Sequence, residues 1–464
     1  MLFNSIEFVW FLPAVVLLYY LVPGRFRWIL LLLASYTFYM FWKVEYAALI
    51  AASTLVDFFA GGQMGRRQTR RARLPFLILS LGSNLGLLFA FKYTNFFSGT
   101  VNEFFATDLP QLDLLLPVGI SFYTFQTLSY SIDVYRGRQA AETHLGHFAV
   151  YVAFFPQLVA GPIERFSRLG PQLRAQPAFA YENFAHGFRL LLYGFFVKMV
   201  VADNLAGFVN AVYEAPADFG SSTIVLALFL YALQIYGDFY GYSLIAIGSA
   251  RLLGIRLMDN FHTPYLSVSV ADFWQRWHIS LSTWFRDYLY IPLGGNRVAL
   301  PRWSVNILLV FTISGLWHGA SWTFVLWGAL WGMAYLIEKL LGKIIALPEI
   351  RPWSAWHFVH ALKMFGIATL AWLPFRSADV GQMKAVLKGI RDNLDVADDL
   401  ALAVPGFVCL LFFLFSDGLL YNRRFDVWIG DRPFWLRWTV YAALIFAVLV
   451  FAAVEEFPFI YFQF

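Results

Sequence analysis

The sequence predicts an all-α polytopic membrane protein, and three observations carry the prediction. Of its 464 residues, 60% are hydrophobic and only 14% charged, against roughly 25% charged in a soluble globular chain. Apolar runs of about 20 residues, the length an α-helix needs to cross a ~30 Å hydrocarbon layer, recur along the chain. The basic residues sit in short loops beside those runs, so the net charge of +5 follows the positive-inside rule and calls for no nucleic-acid partner.

The predicted spans are, in order, 6 to 22, 26 to 42, 44 to 62, 75 to 92, 114 to 135, 183 to 203, 223 to 250, 355 to 373, 404 to 421 and 437 to 455. The opening apolar run, Phe8 to Val22, follows Glu7 and no basic stretch, which reads as a retained span and not a cleaved signal. Two further apolar stretches, 144 to 162 and 303 to 340, are bracketed by basic residues on both sides: Arg136, Arg138, Arg165, Arg168 and Arg174 for one, Arg297, Arg302, Lys339 and Lys343 for the other. Each is expected to enter and leave on one face. The basic loop from Arg66 to Arg73 is expected in the cytoplasm, which puts both termini outside it. Lys384, Lys388 and Arg391 run against that scheme, diluted by Asp379, Asp392, Asp395, Asp398 and Asp399. With no repeat and no linker in view, residues 1–464 read as one membrane domain.

An ionisable side chain at a helix centre in lipid costs about 2.5 to 3.5 kcal/mol on insertion scales, so those that persist line a cavity or carry function. Asp57, Asp133, Asp238, His278 and His318 stand out. Asp57 and Asp133 lie near span ends and are expected to be wetted there. Asp238, in YGDFYGYS, reads first as a buried helix-pairing group. Residues 266–291 are expected to form one amphipathic helix: Trp274, Trp277, His278, Leu281, Phe285 and Tyr288 share a face opposite Asp272, Gln275, Arg276, Arg286 and Asp287. Ser269 with Asp272 would cap its start, and Pro292 with Gly294 would end it. The second polar stretch is SGLWHGASW, Ser314 to Trp322, in the hairpin 303–340. Gly315 and Gly319 have the spacing that lets helices approach, Gly319 is expected to free space beside His318, and Trp317 and Trp322 would wall the ring. Burial would keep such an imidazole neutral, able to accept a proton from a hydroxyl.

On these residues alone His318 reads equally as a hydrogen-bonding helix partner, and His278 more readily as packing. Cys409 is the single cysteine, which excludes a disulfide within the chain and a dithiol redox pair. No phosphate loop, HExxH, GxSxG or Cys/His metal spacing occurs, so nucleotide-driven pumping is excluded and no metal is expected. A transporter or polymer-export channel, with His278 and His318 as relay residues, would call for internal symmetry that the sequence lacks.

Several segments, taken in order, resemble the membrane-bound O-acyltransferase (MBOAT) family in its bacterial polysaccharide O-acetyltransferase branch. They are LLLASYTFYMFW (Leu31 to Trp42), LLPVGISFYTFQTLSYSIDVYRG (Leu115 to Gly137), FFPQLVAGPIERF (Phe154 to Phe166), DFYGYSLIAIG (Asp238 to Gly248), DFWQRWHISLSTWFRDYLYIPLGGNR (Asp272 to Arg297), SGLWHGASWTFVLWG (Ser314 to Gly328) and PFIYFQF (Pro458 to Phe464). The resemblance implies a bundle of about eleven transmembrane helices with re-entrant segments around a through-membrane tunnel. It assigns the family's histidine to His318 and a second polar position to His278. It also implies no bound cofactor, acetyl-CoA as donor substrate, a bacterial inner-membrane location, a polysaccharide acceptor and a secreted or membrane-anchored acyltransferase partner. Arg276 and Arg286 become candidates for the donor's phosphates. Trp277, Asp287, Trp317 and Asp238 complete the candidate substrate-binding set. Within the same family, a D-alanyl transferase of the teichoic-acid type, fed by a carrier-protein thioester, is the alternative.

Overall fold

The computed structural model describes residues 1–159, 161–175, 177–344, 350–397, 404–453 and 457–462; Asp398, Asp399 and Phe464 lie outside them. All regular structure among the described residues is helical. The helices are α1 (Ile6–Leu21), α2 (Arg27–Met40), α3 (Ala47–Gly65), α4 (Arg70–Leu88), α5 (Thr94–Phe105), α6 (Ile120–Arg136), α7 (Leu145–Ala153), α8 (Phe155–Leu158), α9 (Phe166–Ala175), α10 (Tyr181–Phe195), α11 (Asp203–Glu214), α12 (Ser221–Leu252), α13 (Val270–Arg276), α14 (Ile279–Phe285), α15 (Leu300–His318), α16 (Trp322–Ile344), α17 (Ala355–Arg376), α18 (Val380–Asp392), α19 (Val404–Leu419), α20 (Phe425–Gly430) and α21 (Phe434–Phe451).

Seven helical stretches among the described residues are long and apolar enough to cross a membrane: Val44–Gly65, Arg70–Phe105, Tyr181–Glu214, Ser221–Leu252, Trp322–Gly342, Ala355–Arg376 and Phe434–Phe451. The chain is a multi-pass membrane protein, with apolar side chains such as Trp10, Leu370 and Leu449 turned outward where lipid is their natural neighbour. Seven is fewer than the resemblance implies. Several stretches that read as apolar spans fold as shorter or more polar helices, among them α6, which buries Ser121, Thr124, Gln126, Thr127, Ser129 and Ser131. The segment 144 to 162 holds α7 and α8, of 9 and 4 residues. A helix as short as α7 rises about 14 Å, half the hydrocarbon thickness, so this segment does not cross as a helix.

The described residues pack as two compact units, 1–191 with 243–258, and 192–242 with 259–464. In the first unit α3, α4 and α6 enclose Asp57. It is fully buried, contrary to the wetted position expected of a residue near a span end. Ser80 Oγ donates to Asp57 Oδ1 at 2.5 Å, Asn84 Nδ2 donates to both carboxylate oxygens at 2.9 and 3.0 Å, and Ser131 Oγ lies 2.7 Å from Ser80 Oγ. Ser53 and Asp57, Ser80 and Asn84, and Thr127 and Ser131 are each four apart, one polar stripe per helix, so three stripes meet. Asp133 is half-buried.

In the second unit α15 and α16 form a tight hairpin. A Cβ on Gly315 would stand 2.1 Å from the Phe324 carbonyl oxygen, and one on Gly328 2.3 Å from that of Phe311. Only glycine permits this approach, which sets the position of the end of α15. Between α10 and α11 the backbone widens into a π-helical stretch, Phe196–Ala202. Gly241 of α12 lies so close to it that a Cβ would come 2.8 Å from the Lys198 nitrogen.

Candidate active site

His318 is the last residue of α15, a helix opened by a proline in its first turn and ended by the extended backbone of Gly319. The ring is buried among aromatic rings: Trp317 at 4.8 Å between centroids, Trp327 at 5.0 Å, Phe375 at 5.4 Å and Tyr461 at 5.5 Å. The space beside Gly319 is filled and not free. A Cβ there would meet the Phe324 ring at 2.1 Å, and that ring packs on Phe375. Gly319 therefore serves the close packing of the hairpin.

His278 lies 6.3 Å from His318 between ring centroids. It comes there by a break in the helix that the sequence reads as continuous. α13 ends at Arg276, Trp277 is extended, and His278 takes a left-handed conformation with φ 42° before α14 begins. The cause is competition from residues 260–262. The Arg276 carbonyl accepts from His262 N at 3.0 Å, and Ile279 N donates to the Asn260 carbonyl at 2.9 Å. Ser280 Oγ donates to Asn260 Oδ1 at 2.6 Å. These bonds satisfy backbone groups that a continuous helix would pair internally. A positive φ at a non-glycine residue is uncommon and costs of order 1–3 kcal/mol, a strain that concentrates at functional sites.

The break also parts Trp277 from His278. On a continuous helix they would share a face. Here Trp277 joins a buried cluster with Phe261, Phe273 and Trp372, while His278 stands edge-on to Phe239 at 4.6 Å. Burial pushes the His278 imidazole down to about 3, so the ring is neutral at pH 7.

The remaining candidates divide. Trp317 is buried against both histidine rings. Arg276 is held by Asp272 at 2.7 Å and by Asn422 Oδ1 at 2.7 Å, with its guanidinium over the Tyr421 ring. Ser269 Oγ caps α13 as expected, accepting from Asp272 N at 3.0 Å. Arg286, paired with Asp287 at 2.8 Å, lines a cavity of about 580 Å³ together with Trp274, Tyr290, Asn296 and Ser314. Ile279, next to His278, also lines it, and Ser314 stands one helical turn before His318. The cavity thus carries a cationic group at its wall and reaches the two elements that bear the histidines.

The profile of the membrane-bound O-acyltransferase family matches residues 139–364, a range containing both histidines. A probable alginate O-acetylase of Azotobacter vinelandii is 41% identical over 404 residues, covering 86% of this chain and 76% of the relative. This chain belongs to the membrane-bound O-acyltransferase family. A peptidoglycan O-acetyltransferase of Helicobacter pylori is 34% identical over 427 residues, 84% of this chain and 80% of that protein. A teichoic acid D-alanyltransferase of Bacillus subtilis is 28% identical over 234 residues, 47% of this chain and 58% of its own length. As a member of the membrane-bound O-acyltransferase family the chain is an O-acyltransferase.

Asp238 belongs to a buried ion cluster that neither motif nor periodicity announces. Lys198, on the π-helical stretch, places Nζ 2.6 Å from Asp238 Oδ1, 2.6 Å from Asp203 Oδ1 and 3.1 Å from the Phe457 carbonyl oxygen. The signal was available: Lys198 is an ammonium inside the apolar run 183 to 203, and a lysine there needs a partner. Asp238 as found meets the Lys198 ammonium and the backbone N–H of Ile460.

Proposed function

We propose that this acyltransferase takes an acetyl group from a cytoplasmic thioester, acetyl-CoA, and passes it across the membrane for O-acetylation of an exported cell-surface polysaccharide, directly or through an extracytoplasmic acyltransferase partner. The observation that carries this reading is the pair of buried imidazoles 6.3 Å apart; a cavity of about 580 Å³ is lined by Ile279 and Ser314 on the elements that bear them. Arg286 at the wall suits a donor phosphate. The two relatives described above that match over more than four-fifths of this chain are by name a probable O-acetylase and an O-acetyltransferase, which favours acetyl over D-alanyl as the group carried.

In the proposed reaction His318 accepts the proton of an acceptor hydroxyl as its oxygen attacks the thioester carbonyl. The new C–O bond forms, the C–S bond breaks, and the leaving thiolate takes a proton from the imidazolium. General-base assistance of this kind contributes about 10² to 10⁴ in rate. His278, neutral, can donate one N–H to the developing oxyanion. The aromatic walls keep water from the thioester.

The test is His318→Ala with insertion verified, measuring base-labile acetate on the cell-surface polymer. The expected result is a loss of at least about 100-fold, the lower end for a general base. Acetylation at the wild-type level would refute this assignment. His278→Ala should lose less. Supplying membrane vesicles with labelled acetyl-CoA or with a D-alanyl carrier protein separates the two donors, and transfer from the second alone would favour the D-alanyl reading.

A further inference from the structure

The described chain ends in a segment, 457–462, that lies against the His318 ring through Tyr461. Its attachments are polar and converge on one place. Asp238 Oδ2 accepts from Ile460 N at 2.7 Å, and Lys198 Nζ donates to the Phe457 carbonyl oxygen at 3.1 Å. The ammonium's three N–H groups face three oxygens, those of Asp203, Asp238 and Phe457. Upstream, Asn204 Nδ2 donates to the Phe451 carbonyl at 2.8 Å and Ala453 N to the Met199 carbonyl at 3.2 Å. The side chains then follow. Phe459 stacks on Tyr242 at 4.6 Å, and Tyr461 packs on Phe239 at 4.7 Å, the ring that also holds His278.

We propose that the buried Lys198–Asp203–Asp238 cluster is a positioning device for acyl transfer, which ties segment 457–462 down so that Tyr461 closes one side of the His318 ring. The inference rests on the acyltransferase reading of His318. Two buried carboxylates around one ammonium are more charge than a helix-pairing contact needs, and breaking such a group is costly once it is buried. Here the surplus carboxylate oxygen is spent on a backbone N–H of a segment far away in sequence. The π-helical stretch gives the same reading from the backbone. It shifts Lys198 out of regular helical register, a distortion found mostly at functional sites, and Gly241 admits that stretch close to α12.

The experiment uses the full chain in membranes with Cys409→Ser as background. A single cysteine is introduced either by Ile460→Cys or, as a control in a buried part of α18, by Val386→Cys. Reactivity toward N-ethylmaleimide is measured with Asp238 intact, with Asp238→Leu and with Asp238→Asn, which keeps an acceptor for Ile460 N–H but loses the charge. Polymer acetylation is measured in the same variants without the added cysteines. The expected result is labelling at position 460 raised about tenfold, the population change from losing one charge-assisted hydrogen bond. Labelling at position 386 stays unchanged, and acetylation per inserted molecule falls by a similar factor. Unchanged labelling at 460 overturns the proposal. So does a rise at both positions, which marks general loosening, or a rise at 460 with full acetylation. His318→Ala that retained full acetylation would sink the acyltransferase site instead, leaving the labelling pattern as it was.

Discussion

Asp57 in the first unit and Asp238 in the second are both enclosed carboxylates, 0% and 3% exposed, but they are satisfied by different kinds of partner. Asp57 draws on neutral hydroxyl and amide groups of α3 and α4, close to it in a helix bundle. Asp238 draws on an ammonium and on the backbone of residue 460, a separation of 222 positions. Neutral donors on neighbouring helices fasten a scaffold. A charged group with a distant backbone partner fastens a segment that the bundle alone would not hold, and that segment carries a ring against His318. The contrast is between polarity that specifies helix packing and polarity that builds a site.

The largest effect expected from this contrast is on acyl transfer. Asp238→Asn should lower acetylation per inserted molecule about tenfold, the rate equivalent of one charge-assisted hydrogen bond, while Asp57→Asn should stay within about twofold. Equal losses in the two variants, measured as polymer-bound acetate against membrane protein, would erase the distinction. A second effect is expected on stability, from glycines beside the two groups. Gly241→Ala pushes a Cβ against the Lys198 backbone and should cost about 1–3 kcal/mol as overpacking. Gly62→Ala, on the Asp57 helix with nothing within 4 Å of the added Cβ, should raise stability by up to about 1 kcal/mol. Thermal melts in detergent check both signs.

A third effect is a pH slope from the neutral His278 ring. His278 falls from 6.5 to about 3 in the fold, so below 6.5 the unfolded chain binds a proton that the folded chain does not. Stability from this group is therefore complete above that value and is lost as pH falls toward 3, at up to about 1.4 kcal/mol per pH unit. His278→Asn, whose side chain tolerates the left-handed backbone, should flatten the acid side of a melting-temperature profile. An unchanged slope would show that burial of the His278 ring does not govern the acid side of the profile.

Much of the site was legible before the fold. The glycines four apart around GLWHG announced that a neighbouring backbone comes close to the helix that bears His318. Ser269 announced the start of α13 because a hydroxyl three residues before an exposed N–H caps it. The i, i+4 stripes around Asp57 were equally readable, but position near a span end suggested water where the fold supplies serines and an asparagine. The continuous helix through His278 failed for a different reason. Periodicity counts the groups within a segment and is blind to a competing acceptor, here Asn260, that lies outside it.

By itself the sequence determined insertion, helical class and family, because these follow from summed apolarity and from local patterns each decided within a few turns of chain. Only the tertiary structure decided that Trp277 turns into an aromatic cluster while His278 turns toward His318, and that Asp238 binds Lys198 and residue 460. Those outcomes depend on hydrogen bonds and charges brought together from separate segments, and no single segment contains the partner that settles its own geometry.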